Sequence, residues 1–302
     1  MKKARFWRAV EVLWQLPRRA PRRGSAATLS IAAARQRDLA MRRVAACCCV
    51  AAAAALSCPL TGEQMVTQAA QALERAFDAG HRRLTIRFPL TLGLESDDAR
   101  WFAFAGGAPQ MALRARPLAS EILKRVDTAP RGEGAAWTRP PPKVVEQTLW
   151  DFDGSYLLTA EAATGAAHDV QLMLMPNTDR RYLDDLETIE AEFGRAGTPQ
   201  DRLVVLANPA WRDEGSFGWF DRKRGRELLD AYPVAYALES TTVSNMPLWL
   251  LKGDCDGAWT VFEQRRRRRA PGDAPPPPLG TFPARPRYDE LKPLVSRRRP
   301  NG

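Results

Sequence analysis

Apolar positions recur along this chain in two rhythms, one near four residues and one of two. The four-residue rhythm comes first, in "LTGEQMVTQAAQALERAFDAG". There Met65, Ala69, Ala72, Leu73, Ala76 and Phe77 fall on one face of a helix. Thr61 and Gln64 stand ahead of it at capping-box spacing, and Gly80 closes it. The two-residue rhythm follows in "RRLTIRFP". Leu84, Ile86 and Phe88 point one way and Thr85 and Arg87 the other, which predicts a half-buried strand ended by Pro89. Residues 91–107 are irregular. Pro117 then suits the first turn of a helix carrying Leu118, Ile122, Leu123 and Val126. Thr128 to Lys143 is a surface loop by composition, and "VVEQTLWDFDGSYLLTAEA" predicts two strands joined at Asp153-Gly154.

The clearest unit is the next one. "DVQLMLMPN" is a strand through Leu172 and Leu174, ended by Pro176. Leu183, Leu186, Ile189 and Phe193 then recur at helical spacing, with Asp179 available as a cap. "RLVVLANP" is a second strand, apolar on both faces. Strand, helix and buried strand in this order form a βαβ unit, which calls for a parallel pair with Leu203–Ala207 near the middle of a sheet. A short helix around Lys223–Asp230 follows. "PLWLLKGDCDGAWTVFEQ" then predicts a hairpin turning at Gly253–Gly257, with Trp249, Leu251, Trp259 and Val261 facing the core or an edge. The pattern therefore predicts an α/β fold: one domain over 59–264 with a mixed, partly parallel sheet flanked by helices.

Charge changes the picture at the two ends. The chain carries a net +10 over 302 residues. Residues 1–58 hold 12 Lys/Arg against 2 acids, and residues 265–302 hold 11 against 3, so the middle is net −8. A nucleic-acid partner is not expected, because the basic character lies outside the body predicted to fold. Residues 1–58 read as a targeting segment: rich in Arg, Ala and Ser, with only Glu11 and Asp38 acidic. Within it, Val44–Leu56 is 13 apolar residues long. As a helix that is about 20 Å, short of the ~30 Å hydrocarbon core. Three readings of this run stay open: the end of a plastid transit peptide, a twin-arginine signal to the thylakoid lumen, or a secretory or lipoprotein signal at Cys58. At the other end, Arg265–Arg269 leads into a proline- and arginine-rich stretch. Residues 265–302 are expected to be a disordered tail.

Four stretches in this order, "LTIRFP", "MLMPN", "VVLANPAW" and "AYPVAYAL…GAWTVFEQ", resemble a plastid domain-of-unknown-function family. That family includes the low-photosystem-II-accumulation proteins, and its domain also occurs fused to a plastid adenylate kinase. The resemblance covers about 60–264. It implies an α/β domain in or on the chloroplast; the stroma or the stromal thylakoid surface is expected ahead of the lumen. It also implies a part in photosystem II assembly or thylakoid maintenance, with a chloroplast protein partner drawn from the photosystem assembly machinery. It supplies no catalytic residue. The chain departs from the family at Gly106-Gly107, at Pro140–Pro142 and in the Arg/Pro tail, which leaves any shared partner surface open.

Candidate chemistry is sparse. Asn177 and Asn208 each end a strand beside a proline. With Asp179 and Arg212 they can line a crevice at the carboxyl edge of the sheet, where Asn binds ribose or amides and Arg grips a phosphate or carboxylate. The competing reading is that the two Asn side chains cap turns or helix starts. No phosphate-binding loop and no dinucleotide glycine fingerprint is present. His81 and His168 read as surface histidines, and Asp184-Asp185 as a solvated helix face. Of five cysteines only Cys255 lies beyond residue 58, so no disulfide framework, metal site or cofactor is expected. Trp211, Phe217, Trp219 and Phe220 cluster in one loop, either as a contact surface for a protein or membrane or as a cover for the end of the sheet. Arg265, Arg266, Arg267, Arg268 and Arg269 can add peripheral contact with anionic thylakoid lipid or with an RNA backbone, or form a solvated charge block. The leading expectation is a non-enzymatic chloroplast auxiliary protein. The alternative is a small-molecule or nucleotide-binding enzyme using the Asn177/Asn208 crevice.

Overall fold

A computed structural model describes residues 57–91, 107–129, 140–150, 155–195, 202–264 and 274–296. Helix α1 (Gly62–Asp78) starts where the sequence places it: the Thr61 hydroxyl accepts from Gln64 N at 3.1 Å. Gln64 Oε1 reaches back one residue further than in a capping box, accepting from Leu60 N at 2.7 Å. Gly80 leaves the helix at φ 101°, a conformation open to glycine without steric cost. Strand β1 (Arg83–Arg87) follows, then α2 (Ala108–Arg125), β2 (Lys143–Trp150), β3 (Ser155–Glu161) and β4 (Val170–Leu174). Next come α3 (Arg180–Arg195), β5 (Leu203–Ala207), α4 (Arg222–Ala231), β6 (Val234–Val243), β7 (Met246–Lys252), β8 (Trp259–Glu263), β9 (Pro278–Phe282) and α5 (Tyr288–Ser296). None of these described helices is long and apolar enough to cross a membrane.

The strands form one nine-stranded sheet in the order β2-β3-β4-β5-β1-β6-β7-β8-β9. β4, β5, β1 and β6 run parallel, with antiparallel strands on both flanks. The predicted βαβ unit is present, since β4 and β5 pair in parallel from Val170↔Leu203 to Leu174↔Ala207. β1 is not half-buried as its alternation predicts. It lies between β5 and β6, and its polar residues have partners inside the protein: Thr85 Oγ1 donates to Tyr232 O at 3.1 Å. The β6–β7 hairpin turns at Ser244 and Asn245, both at positive φ (49° and 63°). A two-residue hairpin loop twists in this sense, and here no glycine is used.

The two faces of the sheet are built differently. On one face α1 and α2 cover a continuous core in which Leu84, Ile86, Leu172, Leu174, Val205 and Ala207 meet Met65, Leu73, Leu118 and Ile122. α2 begins nine residues before Pro117, with Pro109 in its first turn, so Pro117 lies inside the helix. A proline there costs about 3 kcal/mol. Ala112 and Ala115 extend the buried stripe ahead of it, and their packing holds the helix together through the proline. On the other face the core is split in two. Met173, Val204 and Leu206 pack with α3 residues and with Trp211, Phe217 and Tyr232, while Ala237, Leu248, Leu250 and Val261 pack under α5.

The expected disordered tail is corrected by this second patch. β9 pairs with β8, and Leu291 and Val295 of α5 are each 2% exposed. Composition hid them because their apolar neighbours, Leu279, Phe282 and Leu294, are spread thinly among prolines and arginines. Gly280 permits the close fit, since a Cβ there would stand 3.1 Å from Leu294 Cδ1. Residues 274–296 hold three Lys/Arg against two acids, so most of the excess charge of the carboxyl end lies elsewhere. Cys58, the last residue assigned to the targeting segment, is buried in the first core. Residues 1–56 and Arg265–Arg269 lie outside the described residues. Because α5 caps an apolar patch, Leu291→Ala should cost about 2–5 kcal/mol, read as a lower urea midpoint. A midpoint equal to that of the parent chain would mean that the helix does not pack.

Candidate functional site

The carboxyl ends of the parallel strands bring the predicted residues to one edge. β4 and β5 both leave the sheet in the left-handed region, Met175 at φ 53° and Asn208 at φ 50°. Asparagine tolerates this conformation better than most residues. The Asn208 side chain then takes over the ladder its backbone has left. Its Oδ1 accepts from Phe88 N at 2.8 Å and its Nδ2 donates to Phe88 O at 3.0 Å. Asn177 Oδ1 accepts from Asp179 N at 2.7 Å. Asp179 Oδ1 accepts from Arg181 N at 3.0 Å, and its other oxygen meets Arg181 NH2 at 2.8 Å. The Arg181 side chain holds the Asp179 carboxyl below the usual carboxylate range. Asn177, Asp179 and Asn208 thus share an edge and serve as turn, cap and strand clamp.

Arg212 has different company. Its guanidinium comes within 4.0 Å of Glu239, which is 7% exposed. Two further arginines meet the same carboxylate. Arg285 donates to it through Nε at 2.8 Å and approaches through NH2 at 2.7 Å, and Arg87 Nε lies 3.8 Å away. Arg87 is itself largely buried, and its other nitrogens donate to Pro209 O at 3.0 Å and to Trp211 O. Burial lowers its pKa to about 10. Glu239 opposes that shift, whereas Arg212 and Arg285 reinforce it. The guanidinium stays cationic at neutral pH.

A backbone irregularity makes this cluster possible. β1 and β6 pair Thr85↔Val234, then Ile86↔Tyr236 and Arg87↔Ala237, so Ala235 is passed over as a bulge. Without it Arg87 would align with Tyr236, and Glu239 would face the other side of the sheet. With it, Arg87 and Glu239 share the face on which the core is divided. They occupy the seam between the two apolar patches. Sequence reasoning picked out Arg212 but missed Arg87, Glu239 and Arg285. The available signal was Glu239 itself, an acid inside the apolar run "PVAYALES".

The loop after β5 separates its aromatics. Trp211 and Phe217 are buried, with ring centroids 5.6 Å apart, and cover the end of the sheet. Gly225 on α4 lets Phe217 in, because a Cβ there would fall 2.4 Å from the ring. Trp219 instead is 76% exposed, with the Arg222 guanidinium 5.2 Å above its ring. The side chain of Phe220 lies outside the described residues.

Elsewhere, groups with chemical potential have structural partners. Asp184 pairs with Arg224 at 3.0 Å, and Asp185 accepts from Trp150 Nε1 at 2.9 Å. His168, half-buried, meets Thr164 Oγ1 at 2.9 Å beside a groove of about 220 Å³, and its carbonyl accepts from Thr128 Oγ1. Burial and Asp254 push the Cys255 thiol up to about 11, away from the thiolate a nucleophile needs. Tyr232 donates to Glu190 at 2.6 Å, and burial raises its pKa strongly. Among the described residues no three His, Cys, Asp or Glu side chains stand together as a metal set.

Two substitution pairs test this geometry by chemical denaturation. Asn208→Gly keeps the backbone conformation but removes two hydrogen bonds, a loss of about 1–3 kcal/mol. Asn208→Ala should lose about 1 kcal/mol more, because alanine resists positive φ. If the two variants are equally stable, the left-handed backbone is not what selects asparagine. In the second pair, Glu239→Gln leaves Arg87 without a buried counter-charge and should cost about 3–5 kcal/mol. Arg212→Ala, at an exposed partner, should cost under about 1 kcal/mol. A reversed order would sink the assignment of Glu239 as the organising carboxylate.

The family model described as "Domain of unknown function (DUF1995)" matches residues 59–293. That span extends past residue 264 to include β9 and most of α5, in agreement with their packing. No curated protein and no solved structure matches the chain. With most of its length under one family model and the whole described sheet within that match, the chain belongs to the DUF1995 family.

Proposed function

We propose that this protein is a non-enzymatic auxiliary protein of the chloroplast. In this reading it docks peripherally on the anionic stromal face of the thylakoid and serves photosystem II assembly or thylakoid maintenance. The observation that carries the reading is the loop after β5. Trp211 and Phe217 fix it to the sheet, while Trp219 stands 76% exposed with a guanidinium stacked on it. An indole held out by a rigid loop and flanked by cations suits a lipid–water interface, where its ring meets the headgroup layer.

Charge supports the same reading. Arg222 and Lys223 stand three and four residues after Trp219, beyond Phe220 and Asp221, and Lys223 is almost wholly exposed. Arg265–Arg269 supplies five more positive charges, each worth about 1 kcal/mol beside an anionic membrane. The transit-like amino-terminal composition and the family motifs support the plastid address. Against the alternative of a small-molecule enzyme stands the use of Asn177, Asp179 and Asn208 as structural clamps.

Flotation of the full chain with vesicles tests this function. The protein should float with vesicles rich in phosphatidylglycerol and stay behind with phosphatidylcholine, and binding should weaken as salt rises. Trp219→Ala should lower the bound fraction several-fold without changing the melting temperature, because the ring is exposed. A Trp219→Ala chain that floats as well as its parent would remove the docking surface from the proposal. Recovery of the tagged protein from a compartment other than the chloroplast would remove the address.

A further inference from the structure

We propose that Arg212 and Arg285, set above the Arg87–Glu239 pair, form a binding site for a phosphate group at the carboxyl edge of β1, β5 and β6. Three guanidiniums lie within 4.0 Å of one carboxylate, so the cluster carries a surplus of two positive charges. The three arginines are not equivalent. Arg87 is committed, with nitrogens bound to Pro209 O and Trp211 O. Arg285 presents Nε and NH2 to Glu239 and leaves NH1 open, with its side chain 40% exposed. Arg212 is 57% exposed, and among the described residues its guanidinium makes only the 4.0 Å approach to Glu239. Donors on Arg212 and Arg285 therefore converge from the solvent side on a point where positive charge is in excess.

The fold gives this convergence its cause. Glu239 is brought to the face of Arg87 by the bulge at Ala235, and it draws Arg285 in from the segment before α5. Arg212 arrives from the loop after β5, which Arg87 holds by its carbonyls. Three separate parts of the chain thus deliver a cation to one place, and among the described residues Glu239 is the anion that meets them. That Arg212 and Arg285 each depress the proton affinity of Arg87 reports the same uncompensated charge. An incoming phosphate relieves the repulsion and meets the Arg212 guanidinium fork together with the open NH1 of Arg285, charge-assisted donors of the kind that bind oxyanions. The position also fits the general tendency of open α/β sheets to gather ligands beyond the carboxyl ends of their parallel strands. A phosphate here can be soluble or can belong to a lipid headgroup.

The test uses the full chain in phosphate-free buffer, titrated with inorganic phosphate at constant ionic strength while thermal melting and binding heat are followed. Saturable binding with a rising melting temperature is expected. Arg212→Ala should weaken phosphate binding about tenfold or more while shifting melting in phosphate-free buffer by no more than about 4 °C. Arg285→Lys keeps a charge beside Glu239 but loses the fork, and should weaken binding as well. Arg287→Ala, an exposed arginine outside the cluster, should not. Phosphatidylglycerol vesicles that displace phosphate would identify the headgroup as the source, whereas vesicles that leave it bound would identify a soluble phosphate. Both outcomes keep the site. No saturable response, or equal losses in the Arg212 and Arg287 variants, overturns it. The site stands apart from docking through Trp219, because failure of phosphate binding leaves the Trp219 flotation result intact, and the reverse also holds.

Discussion

A guanidinium buried at the end of a central strand sets the conditions for much of this structure. Arg87 keeps its proton at neutral pH and has only 12% of its side chain exposed, so the protein supplies partners for it. It does so with one carboxylate, Glu239, and with two carbonyls from the loop after β5. Each partner has a structural consequence. The carboxylate requires the bulge in β6, the carbonyls require the β5 loop to fold back over β1, and the excess attraction of Glu239 anchors the segment that leads into α5.

The asymmetry of the two faces follows from this. Beneath α1 and α2 there is no polar interruption, and the core runs unbroken from β3 to β8. On the opposite face the Arg87–Glu239 pair divides the apolar surface into two patches, and each needs its own cover. α3, α4 and the Trp211–Phe217 stack cover one, and the carboxyl-terminal β9 and α5 cover the other. The charged seam between them remains open to solvent through Arg212 and Arg285, which makes it the chemically distinctive place on the described surface.

Much of the fold was legible in the sequence because local periodicity reports burial wherever one element packs against one surface. The α1 stripe, the β4–α3–β5 unit and the β7–β8 hairpin were read this way. The misreadings share one cause. β1 looked half-buried because Thr85 and Arg87 are polar, and their partners, Tyr232 and Glu239, lie about 150 residues further along the chain. Pro117 looked like a helix start because the alanines that carry the stripe past it contribute little hydrophobicity each. The carboxyl-terminal segment looked disordered because its apolar side chains become a face only when β8 lends them an edge.

The sequence by itself determined most of the elements, the parallel pairing at the centre of the sheet, the strand ends beside proline and the unequal charge of the ends. Each of these depends on neighbours within a few residues, or on composition summed over a segment. The tertiary structure alone decided that Glu239 faces Arg87, that Arg212 and Arg285 join them, and that of the neighbouring aromatics in one loop Trp211 and Phe217 go in while Trp219 stays out. Those outcomes depend on a one-residue bulge and on the order of strands in the sheet. Both are set by the packing of the whole domain, where a shift of one position reverses which face a side chain occupies.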